Sequence, residues 1–151
     1  MPRAISTERE HEYGELLAYV SFFATNVMRV EPSSPAHPAN AIKVIAAKFG
    51  KSKALVGLRQ ATNDTVEQMR GWNAEAVGAL DQALRAAATL TASEARRRYG
   101  SSFSKVVKRG SIKTETEYYL VAGVVNDLST QISAQERVSL EHLLAAYEAG
   151  A

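Results

Sequence analysis

The chain contains no cysteine. That removes disulfide scaffolds, thiol nucleophiles and cysteine-ligated zinc together, and it fits a reducing compartment. Long apolar runs are also missing, and none approaches the ~20 residues that a membrane-spanning helix needs. Residues 1–7 are followed by Glu8, Arg9, Glu10, His11 and Glu12 rather than by the apolar core of a signal peptide. The expectation is a cytoplasmic protein with no membrane partner. Histidine is scarce: His11, His37 and His142 lie far apart, and no pair has the spacing of a helical metal site. No metal and no cofactor are expected.

Enzyme signatures are lacking as well. Gly50-Lys51-Ser52 repeats the end of a phosphate-binding loop, but Ile45 stands where that loop needs its first glycine. Ser101, Ser102 and Ser104 have no identifiable base, and there is no G-x-S-x-G elbow. Asp and Glu read as scattered on helix surfaces, with no pair set for acid and base roles. The expected protein is non-enzymatic.

What is present is helix. Hydrophobic residues make up 46% of 151 positions, enough for one compact domain with a real core. In residues 7–30, Tyr13, Leu16, Leu17, Val20, Phe23, Ala24 and Val27 recur at i, i+3, i+4 and i+7, one apolar stripe. Thr7 with Glu10, Thr114 with Glu117 and Ser133 with Glu136 have capping-box spacing. Further helices are expected over about 39–49, 52–70 (with a break near 62–64), 74–89, 92–109, 114–128 and 133–149. The fold class is all-α, a compact bundle of about six to seven helices. Residues 1–31 form an amphipathic helix, 32–40 a proline-rich linker holding three of the four prolines, and 41–151 the helical domain. The first helix either packs on that domain or stands off as an arm.

The charge is unevenly laid out. The totals, 18 Lys and Arg against 16 Asp and Glu, leave +2. Yet residues 32–63 hold five bases and no acid, and residues 95–113 hold seven bases and no acid. Such asymmetry speaks to partners rather than to fold. On a single helix over 92–109, Arg97 and Lys108 would fall near 100–120° and Lys105, Arg98 and Arg109 near about 180–220°, opposite an apolar arc. That would be a cationic outer face suited to phosphates. The alternative is that folding sets acidic segments against the basic ones and leaves a mixed surface.

Residues 42–61 resemble a helix-turn-helix DNA-binding unit. Ala46 is the small residue that lets two helices approach, Gly50 supplies the turn, and Ser52 stands where it would cap the second helix. Ile45, Phe49 and Val56 take the inward positions. Lys51 and Arg59 depart from the pattern, which usually has apolar residues there, and Gly57 weakens the second helix. The resemblance implies a nucleic-acid-binding or regulatory protein. Lys48, Lys51, Lys53 and Arg59, with Arg97, Arg98, Lys105, Lys108 and Arg109, would then neutralise phosphates of DNA or RNA. The other expectation is a protein–protein adaptor, an inhibitor or an immunity- or antitoxin-like factor whose basic face meets an acidic protein. The first or last helix could also pair two copies as a homodimer. Trp72 reads as a core plug between helices.

Overall fold

A computed structural model describes residues 5–127 and 130–150. All regular structure among them is helical, in eight helices: α1 (Thr7–Asn26), α2 (Pro38–Phe49), α3 (Lys51–Gln68), α4 (Ala74–Ala86), α5 (Ala92–Tyr99), α6 (Ser101–Arg109), α7 (Glu115–Asn126) and α8 (Ala134–Gly150). The expected all-α class holds, with one helix more than the sequence pattern suggests. Residues 128–129, where α7 was expected to end, lie outside the described residues.

The chain divides into two compact units, residues 1–65 and residues 66–151. In the first unit, α1 buries Leu16, Tyr19, Val20, Phe23 and Ala24. Of the expected stripe, Leu16, Val20, Phe23 and Ala24 are buried, while Tyr13, Leu17 and Val27 are half-buried; Tyr19 joins the buried set, its hydroxyl hydrogen-bonding the Thr65 hydroxyl at 2.8 Å. A buried tyrosine thus keeps its polar end satisfied. The cap of α1 is Ser6 rather than Thr7, accepting from the Arg9 amide at 3.3 Å. The proline-rich segment is a set of bonded turns inside this unit. Asn40 Nδ2 donates to the carbonyls of Pro32 and Ser34. Buried His37 caps α2, its Nδ1 accepting from the Ala39 amide, while its Nε2 meets the Thr25 hydroxyl at 2.9 Å.

α3 is continuous through 62–64, where a break was expected. Thr62 returns its hydroxyl to the Leu58 carbonyl and Thr65 to the Thr62 carbonyl, so these polar side chains are satisfied inside the helix rather than ending it. Gly57 is the contact point of α2 on α3: a Cβ there would stand 3.2 Å from the Ile42 side chain.

In the second unit, Phe103 and Val106 of α6, Ile112, Leu120, Val121, Val124 and Val125 of α7 and Leu140 of α8 form one apolar core, flanked by Leu143, Leu144 and Tyr147. Helix capping here is local, and at Thr114 and Ser133 it follows the expected spacing. Asn73, Thr114 and Ser133 each accept the backbone N–H three residues on, at 2.8, 3.1 and 3.0 Å.

The single helix expected over 92–109 is two helices. Gly100 breaks it, with φ −92° and ψ 132° in the extended region. The reason is steric. A Cβ at Gly100 would lie 2.7 Å from the Arg96 carbonyl oxygen and 2.9 Å from Val66 Cγ1. Only a residue without a side chain lets the chain turn this close to its own backbone. The helical wheel drawn through Arg97 and Lys108 therefore does not describe one surface.

Candidate functional site

The nine candidate cations divide between the units. Lys48, Lys51, Lys53 and Arg59 lie on α2 and α3; Arg97 and Arg98 lie on α5; Lys105, Lys108 and Arg109 lie on α6.

In the first unit, two of the four are engaged by α1. Lys51 Nζ sits 3.0 Å from Glu10 Oε1 and lies over the Tyr13 ring, 5.4 Å from its centroid. Arg59 makes a two-pronged pair with Glu12, at 3.0 and 2.6 Å. Lys48 and Lys53 are exposed with no carboxylate at ion-pair distance among the described residues, as is Lys43.

The helix-turn-helix expectations need correction here. α2 and α3 are joined by Gly50 alone, at φ 90°, where a helix-turn-helix uses a turn of three or four residues. Ser52 lies within α3 and accepts from Arg9 Nη2 at 3.1 Å instead of capping. The inward residues are Ile42, Ala54, Leu55 and Leu58. Phe49 and Val56 point to solvent, 64% and 59% exposed, and Val44 is 53% exposed; Ile45 is half-buried. The one-residue joint rotates α3 so that 54, 55 and 58, not 56, face the core.

In the second unit the arginines turn inward. Glu94 is 2% exposed, and its Oε1 takes Arg97 Nε together with Arg98 Nε at 3.4 Å. Its Oε2 accepts the Gln131 amide at 2.6 Å. Arg96 donates to the Met69 carbonyl at 3.1 Å. Arg109 is tied to Glu117 and to the Ser111 carbonyl. Lys105 and Lys108 remain exposed on α6 with no carboxylate at ion-pair distance among the described residues.

The expectation that acids are scattered on helix surfaces also fails in this unit: Asp81, Glu94 and Asp127 are all buried. Asp127 Oδ1 accepts from Arg85 Nη1 at 2.9 Å, and its Oδ2 from the Thr91 hydroxyl. The same Thr91 hydroxyl caps α5 through the Glu94 amide at 3.1 Å. Asp81, 4% exposed, accepts the Ser93 amide at 3.1 Å on one oxygen and the Ser93 hydroxyl on the other. No cation of the described residues lies within ion-pair distance of it. Burial raises its pKa above the ordinary 3.8; the Ser93 bonds oppose that rise and the Asp127 carboxylate adds to it.

Asp81, Arg85 and Asp127 line a cleft of about 180 Å³ together with Trp72, Tyr119 and Asn126. Trp72, expected as a core plug, is half-buried in that lining. Gly78 lies on the cleft's α4 side. It costs a helix interior roughly 1 kcal/mol relative to Ala, yet nothing beyond its own helix backbone and chain neighbours lies within 4 Å of where its Cβ would stand. Sequence reasoning missed this group, although two signals exist. Asp81 falls on the inner face of α4 between Val77, Leu80 and Leu84, and Thr91-Ser93-Glu94 has capping-box spacing.

Among the described residues no group of three or more His, Cys, Asp or Glu could hold a metal ion, and no helix is long and apolar enough to cross a membrane. Comparison with protein-family models, curated proteins and solved structures finds no match to this chain.

Proposed function

We propose that this is a non-enzymatic binding protein whose docking face is the α2–α3 hairpin, and that its partner is a protein with an acidic rim around an apolar contact. The observation that carries this is Phe49, 64% exposed at the end of α2. With Val44 and Val56 it leaves large apolar side chains in water, interleaved in sequence with the exposed cations Lys43, Lys48 and Lys53. Exposed apolar groups framed by charge of one sign suit a protein surface, which can bury them and answer the lysines with carboxylates. A phosphate backbone would answer the lysines alone. A cytoplasmic setting is part of this proposal.

Nucleic-acid binding is the second reading, and Lys105 and Lys108 favour it, being exposed on α6 without carboxylate partners among the described residues. Affinity capture from nuclease-treated extract, run beside a gel shift on random duplex DNA and on RNA, separates the two. The protein-docking reading expects a stoichiometric acidic partner that is lost with Phe49→Ser and with Lys48→Glu/Lys53→Glu. It is overturned if Phe49→Ser retains every partner. Duplex or RNA affinity that falls steeply with salt, is lost with Lys105→Glu/Lys108→Glu and ignores Phe49→Ser would establish the second reading instead. Self-association that vanishes with Phe49→Ser would make the partner a second copy.

A further inference from the structure

We propose that the cleft between α4, α5 and α7 binds a small zwitterion, an aminocarboxylate of the size of a free α-amino acid. Asp81 and Arg85 stand four residues apart on α4, so they share a helix face. Acid and base at that spacing normally pair with each other. Here they do not: Arg85 Nη1 goes to Asp127 and Asp81 goes to Ser93. Each is left with capacity facing the same space. The Asp81 carboxylate accepts from the Ser93 amide and hydroxyl and from the Ala92 amide, which leaves one of its four acceptor positions for a ligand. Arg85 keeps the donors of Nε and Nη2 without a partner among the described residues, on a side chain 41% exposed.

An ammonium would fill the first vacancy and a carboxylate the second. A buried carboxylate without a cation costs free energy that a bound ammonium recovers, and the aromatic rings of Trp72 and Tyr119 line the same cleft. The volume, about 180 Å³, is below the ~300 Å³ at which drug-sized ligands begin, which restricts the occupant to a few heavy atoms. Two carboxylates without a third ligating side chain suit an organic cation better than a divalent metal. Gly78 is one of the residues lining the cleft, and no neighbouring side chain stands within 4 Å of where its Cβ would be, so a larger side chain has room there.

Isothermal titration of the full chain with glycine, L-alanine and L-serine, and separately with methylammonium and acetate, tests this. At least one amino acid should bind, and each half-ligand should bind at least about tenfold more weakly, because each makes only one of the two charged contacts. Asp81→Asn and Arg85→Gln should each weaken binding by about tenfold or more. Since Asp81→Asn could disturb packing, Gly78→Leu is the decisive variant. It touches no polar group, should fold with an equal or higher Tm, and should abolish the binding heat by filling the cleft. No heat from any amino acid, methylammonium binding as tightly as the best amino acid, or unchanged binding in Gly78→Leu overturns the proposal.

Discussion

Residues 32–63 and 95–113 look alike as sequence, each rich in bases and empty of acids, yet the fold treats them oppositely. The first keeps Lys43, Lys48 and Lys53 in water and ties only Lys51 and Arg59, through surface pairs with Glu10 and Glu12. The second folds Arg96, Arg97 and Arg98 inward onto Met69 and Glu94 and leaves Lys105 and Lys108 outside. The difference follows residue type. All five arginines of the two stretches are engaged, while every lysine there except Lys51 is without a carboxylate at ion-pair distance among the described residues. Guanidinium is planar, weakly hydrated and multiply donating, so it can be buried against a carboxylate or carbonyl; ammonium holds its water more strongly. A count of bases therefore overstates free charge wherever the bases are arginine.

Removing the acid that each stretch depends on would break the comparison most sharply. Glu94→Ala removes the buried carboxylate that two half-buried guanidinium groups and the Gln131 amide share, and should cost about 3–5 kcal/mol, read as a lowered urea midpoint. An equal loss in Glu12→Ala, where the pair is on the surface and about 1 kcal/mol or less is expected, would show the two stretches to be alike after all. Gly100→Ala comes next. It forces a Cβ against the Arg96 carbonyl, and a loss of about 1–3 kcal/mol in chemical denaturation is expected.

A smaller effect is expected from acid. Partial burial acts to raise the Glu117 pKa, but the Lys113 amide, the Arg109 hydrogen bond and the Arg109 charge outweigh it, and the net direction is down from 4.5. A carboxyl lowered on folding contributes stability that is present above its unfolded value and is lost as pH falls through its folded one. Wild type should thus lose up to about 1 kcal/mol relative to Glu117→Gln below pH 4.5. Asp81 has the opposite sign, because its raised pKa makes stability decline as pH climbs above 3.8. Comparing wild type with each variant across pH 3–7 by thermal melts would show the two slopes. The smallest effect belongs to the exposed lysines: Lys48→Ala, Lys53→Ala, Lys105→Ala and Lys108→Ala should each stay within about 0.5 kcal/mol of wild type. A larger loss would mean these cations are structural.

Much of the helical architecture is legible along the chain because its causes are local. Asn73, Thr114 and Ser133 cap helices by reaching only three residues ahead, and the α1 stripe needs only a period of 3.6. What escapes a local reading depends on distant neighbours. Gly100 breaks a helix because Val66 and its own preceding turn crowd it. Phe49 and Val56 face outward because a one-residue joint sets the rotation of α3. Asp81 and Asp127 lie 46 positions apart in sequence and share one cleft.

The sequence by itself determined that this chain is helical, where most of its helices begin, and which stretches carry the bases, since propensity, capping and composition act within a turn or two. Only the tertiary structure decided which charges stay free and which acids are buried. A charge is neutralised through space, by whatever the packing of other helices brings within about 4 Å, and that distance is unrelated to separation along the chain.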